Sequence, residues 1–95
     1  MRQFDRTLIS EAVAKYGNAA QLDQLQGEAC ELAVALSHFR RKSRADKREV
    51  LAEIGDVYLM LEQAREIFSD NLVDEACAAS ANKLTLRLGK EVLPY

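Results

Sequence analysis

The 95-residue chain predicts an all-α fold of four helices. Three observations carry this: apolar residues recur at spacings of three and four, no hairpin-turn dipeptide separates alternating runs, and proline occurs only at Pro94. Only Leu84-x-Leu86-x-Leu88 alternates, and its Ala-rich flanks favour helix. The first helix is expected from about Arg6 to Lys15, with Asp5 as N-cap and Tyr16-Gly17 as the stop. Asn18 and Gln21 loosely resemble a capping box and open a second helix from about Ala19 to Arg41. Its apolar stripe is Leu22, Leu25, Ala29, Leu32, Leu36 and Phe39, and the cations Arg40-Arg41-Lys42 suit the negative end of its dipole. Ser43 and Asp46 form another cap-like start, for a third helix from about Arg44 to Phe68 with the stripe Val50, Ile54, Val57, Leu61, Ala64 and Phe68. Ser69-Asp70-Asn71 breaks that helix and caps a fourth, from Leu72 to about Leu88, which ends at Gly89.

Composition bounds the rest. The chain is 48% apolar and 29% charged with a net charge of −2, so it is a folded domain and not a disordered one. One domain, residues 1–95, is the limit at this length, and its small core suggests that part of the stripes is covered by another copy, as a homodimer or homotetramer. The near-neutral balance offers no support for binding nucleic acid or anionic membrane. The longest apolar runs, Leu32–Leu36 and Val57–Leu61, are too short to span a bilayer, and Met1–Arg6 opens no signal peptide. Cys30 and Cys77 lack CxxC spacing and read as small core residues in a reducing, cytoplasmic setting.

Two segments repeat one design. Glu28-Ala29-Cys30-Glu31 and Glu53-Ile54-Gly55-Asp56 each set two carboxylates at i and i+3, beside an apolar stripe. Such a pair is ordinarily a solvated face. Two copies at the edge of a core, with like charges one turn apart, call for a cation. If the second and third helices pair antiparallel, Glu28, Glu31, Glu53 and Asp56 face one another. All-oxygen ligands of this hardness suit Mg²⁺, with Mn²⁺ as a substitute. Zinc would want His or Cys at ligand spacing, and a di-iron bundle would want Glu-x-x-His; the sole histidine, His38, lies seven residues after Glu31.

These residues resemble a known family. Tyr16-Gly17, Gln21-Leu22, Gln24-Leu25, Gly27-Glu28-x-x-Glu31-Leu32 and, with 21 residues between Glu31 and Glu53, Glu53-x-x-Asp56-Val57 are similar to the all-α nucleotide pyrophosphohydrolases of the MazG-like class, in their short single-domain form. The likeness covers about residues 15 to 90. Gly27 stands where the family motif usually carries a further Glu; a similar Gly-Glu-x-x-Glu form occurs in the dCTP-pyrophosphatase branch. The resemblance implies Mg²⁺-dependent hydrolysis of a nucleoside triphosphate to monophosphate and pyrophosphate. Glu28, Glu31, Glu53 and Asp56 would be metal ligands and catalytic groups, one of them able to take a proton from the attacking water.

Phosphate donors would come from Lys83 and Arg87, at i and i+4 on the last helix, with Asn82 beside them. Each of these reads equally as solvated surface. Gln21 and Gln24 share the Glu28 face and could orient a ligand; His38 or Phe39 could meet a base, although an exposed His and a core Phe are the plainer reading. Tyr58 and Met60 read as packing residues. Two other functions fit the same residues: a non-catalytic helical interaction module that kept the bundle, and hydrolysis of a related pyrophosphate such as a phosphoribosyl nucleotide.

Overall fold

A computed structural model describes residues 4–42 and 47–91 and is all-helical over them: α1 Arg6–Tyr16, α2 Asn18–Lys42, α3 Lys47–Phe68 and α4 Asp70–Arg87. Ser43 and Asp46, Arg44 as the start of the third helix, and Pro94 lie outside the described residues. The expected caps form at two places. Asp5 accepts a hydrogen bond from the backbone N–H of Thr7 at 2.7 Å, and Ser69 accepts one from Leu72 at 3.2 Å.

Two boundaries, the starts of α2 and α4, differ from expectation. Gly17, at φ 90°, accepts a positive φ that side-chain-bearing residues avoid, so it closes α1 on Val13. Its own carbonyl then receives Gln21 N–H at 3.1 Å, which lets α2 begin at Asn18 without the loose capping box. With Ser69 as N-cap, α4 starts at Asp70, two residues before the expected Leu72. The Leu84-x-Leu86-x-Leu88 alternation is taken up by α4 through Arg87 and a turn at Leu88-Gly89.

The helix pair α2 and α3 is the spine of the fold. Gln21, early in α2, reaches Gln63, late in α3, and Glu28 lies beside Glu53 and Asp56, so the two run antiparallel. Against this pair α1 lays Ile9, fully buried at 0% exposure, and ties its outer side to α3 through Arg6–Glu62 and Ser10–Glu66. Gln63 is only 3% exposed, and its amide is satisfied by Gln21 and the sulfur of Met60. Helix α4 packs on α3 alone, pinned near its start by Arg65, whose guanidinium meets Asp70 at 3.1 Å and Asp74 at 2.8 Å.

Among the described residues the core is correspondingly thin: Ile9, Ala35, Val50, Met60 and Ala64. Several residues expected inside are outside. Phe39 is 41% exposed, and Ala29, Leu36, Leu61 and Phe68 of the two stripes are also exposed. The cause is the number of layers. Helix α1 reaches α3 at Glu62 and Glu66, so the opposite end of the spine, where Phe39 lies, has two helices and no third to cover it. Met60 packs as expected, whereas Tyr58 is 60% exposed. Cys30 and Cys77 are both exposed, a correction to their reading as core residues: Cys30 lines an open groove beside α3, and Cys77 is on α4, which packs on α3 alone.

Candidate metal centre

The site follows from the spine. At about 100° per residue, Glu28 falls in the same sector of α2 as the buried Ala35, and Glu53 falls between Met60 and Ala64 on α3. Both are half-buried for that reason. One carboxylate oxygen each from Glu28, Glu53 and Asp56 lie within 4.8 Å of one another, with Asp56 the exposed member. Gln24 donates its amide to Glu28 at 3.0 Å, four residues along the same helix.

Glu53 is the critical group. Its Oε2 is buried and has no hydrogen-bond partner. Burial, then the charges of Glu31, Glu28 and Asp56, raise its pKa above the ordinary carboxylate value. Every surrounding influence on it is therefore anionic or apolar. An orphaned carboxylate oxygen among carboxylates of opposite helices has the chemistry of a hard-cation ligand.

The other expected residues are distributed as follows. Glu31 is exposed and stands outside the tight trio, yet its charge is felt at Glu53. It lines a groove of about 330 Å³ with Cys30, Val34, Glu49 and Glu53. Glu49 was not singled out in the sequence, although Glu49-x-x-x-Glu53 is a like-charge i,i+4 pair that could have flagged it. Gln21 spends its amide N–H on Gln63. His38 is exposed on α2. Lys83 and Arg87 are exposed on α4, which makes no packing contact with α2, and Asn82 keeps its Oδ1 buried without a partner.

Gly27 has nothing within 4 Å of where a Cβ would sit, so packing does not demand glycine there. Gly27→Ala is expected to stabilise α2 by roughly 0.5–1 kcal/mol, read from urea unfolding, with divalent-cation binding unchanged.

No helix of the described residues is long and apolar enough to cross a membrane. No protein-family model, curated protein or solved structure matches the chain.

Proposed function

We propose that the chain is a Mg²⁺-dependent pyrophosphohydrolase of a nucleoside triphosphate, with the MazG-like resemblance supplying the reaction class. The observation that carries the metal half is the trio Glu28, Glu53 and Asp56, with the buried Glu53 Oε2 unpartnered at its centre. These three would hold the ion, with Glu31 beside them in the groove it shares with Glu53. Mg²⁺ there would supply positive charge to phosphate oxygens and acidity to nearby water.

The chain's own groups divide the remaining work. Glu31, exposed and outside the trio, would accept the proton of the attacking water. Water adds at the α-phosphorus, the bond to the β-phosphate side breaks, and monophosphate and pyrophosphate result. Gln24 holds the Glu28 carboxylate in place. The phosphates also need cations from the protein, and α4 stands apart from α2. Lys83 and Arg87 would then act from the α4 of another copy, in a homodimer or homotetramer. Exposed free thiols at Cys30 and Cys77 suit a reducing, cytoplasmic setting.

Incubation with a panel of ribo- and deoxyribonucleoside triphosphates and Mg²⁺, with pyrophosphate assayed, tests this reading. Release from at least one nucleotide, lost in EDTA, is the expected result. Release from none, together with a melting temperature indifferent to Mn²⁺, would leave the non-catalytic interaction module as the function. Including phosphoribosyl nucleotides in the panel decides the related-pyrophosphate alternative.

A further inference from the structure

The α2–α3 spine has a heptad register that runs through its polar residues. On α2, Gln21, Glu28 and Ala35 follow at intervals of seven, and on α3 so do Glu49, Asp56 and Gln63. Seven residues are nearly two turns, so each row keeps to one side of its helix, drifting by about 20° per step. Gln21 donates its amide N–H to Gln63 Oε1 across the antiparallel pair. One heptad further along, about 10.5 Å, Glu28 therefore stands level with Asp56. Glu53, three residues from Asp56 on the same helix, completes the trio there.

The apolar packing of the spine specifies that register weakly. Among the described residues its buried apolar side chains are Ala35, Val50, Met60 and Ala64, three of them small and the fourth flexible. The acids oppose it, because without a cation Glu28 on α2 repels Glu53 and Asp56 on α3. The glutamine pair favours it. Gln63 is buried, and its two polar atoms are taken by Gln21 and, at 3.5 Å, by the sulfur of Met60. Sliding α3 by one turn along α2 takes Gln63 away from Gln21 and leaves a buried amide oxygen without a partner. That penalty disfavours the shifted arrangement by roughly tenfold to a hundredfold. A single buried polar position fixes the register of coiled coils in the same way.

We propose that Gln21 and Gln63 are positioning residues: their amide hydrogen bond sets the α2–α3 register and so brings Glu28 to Glu53 and Asp56. Gln21 then serves the site from inside the helix pair, in place of the ligand contact expected from the sequence. The consequence for metal binding rests on the proposed metal centre, whereas the register rests on the buried pair alone.

The test joins a distance to an affinity. Gln21→Leu/Gln63→Leu removes both amides together and leaves no orphan. Its helical circular dichroism and its melting temperature in EDTA are therefore expected to match or exceed those of the wild type. Nitroxide labels are placed at Asp23→Cys on α2 and Ala52→Cys on α3, both exposed, in a Cys30→Ser/Cys77→Ser background. The labelled protein, diluted with unlabelled protein, is measured in EDTA by double electron–electron resonance. One narrow distance is expected while both glutamines are present. In the double variant the distribution is expected to broaden or to move by up to about 5 Å, one helical turn. Its Mn²⁺ affinity is expected to fall at least about tenfold. Should the double variant fail to fold, Gln21→Ala, at a half-buried position, is read in the same way. An unchanged distance distribution would overturn the register role, whether or not the protein binds metal. A changed distribution with unchanged Mn²⁺ affinity would overturn the positioning of the trio. A wild type that takes up no Mn²⁺ would remove the metal centre, and the distance would still decide the register.

Discussion

Glu53→Gln is expected to lower Mg²⁺-dependent pyrophosphate release by at least about a thousandfold, because charge stabilisation by a bound metal is worth several kcal/mol and each 1.36 kcal/mol is tenfold in rate. The same substitution is expected to raise the melting temperature of the metal-free protein at neutral pH. Glu53 is held among Glu31, Glu28 and Asp56 with a buried, unpartnered oxygen, so its charge opposes folding when no cation is present. The sign follows from linkage. A carboxylate whose folded pKa is raised binds more protons in the folded than in the unfolded chain. Its effect on stability therefore worsens as pH rises from the ordinary 4.5 through the raised value. The advantage of the Gln variant is greatest at neutral pH and fades as pH falls toward 4.5. Melts of both proteins in EDTA across that range check it. An unchanged activity would remove Glu53 from the site, and a Gln advantage that grows with acidity would contradict its raised pKa.

Ile9→Ala is expected to have the largest effect on stability. Among the described residues Ile9 is the one large side chain with no exposure at all, and it is where α1 enters the α2–α3 spine. Truncating a buried Ile to Ala costs about 2–5 kcal/mol, a large share of the 5–15 kcal/mol that holds a typical domain. For a domain of this size each kcal/mol lowers the melting temperature by about 4–8 °C, so a fall of at least about 8 °C is expected. Leu8→Ala, at an exposed neighbouring position, is the control and should shift it by little. Equal effects at the two positions would mean that α1 is not docked as described.

The parts of the fold that were legible in the sequence are those set by local rules. Asp5 and Ser69 cap because a short oxygen-bearing side chain satisfies free helix N–H groups, and Gly17 ends α1 because the turn needs positive φ. The close approach of Glu28, Glu53 and Asp56 was legible for the same reason: i,i+3 spacing fixes which face a side chain shares. Coverage was not legible. The stripe Val50, Ile54, Val57, Leu61, Ala64 and Phe68 lies on one face of α3 but is covered only in places. Val50 and Ala64 are buried, while Leu61 and Phe68 on that same face are exposed. Periodicity says which face is apolar, but not how many helices exist to cover it. Phe39, Tyr58 and the two cysteines were misplaced on that account. Glu31 shows the finer limit: it shares a helix with Glu28, yet one turn carries it out of the trio and into the groove with Glu49.

The most direct measurement is titration of Mn²⁺ into the protein, with the loss of the free-ion electron paramagnetic resonance signal recorded for the wild type, Glu53→Gln and Gly27→Ala. Saturable uptake by the wild type and Gly27→Ala, competed by Mg²⁺ and lost in Glu53→Gln, is the expected outcome. Equal uptake by all three proteins, or none by the wild type, would contradict a metal centre built on Glu28, Glu53 and Asp56.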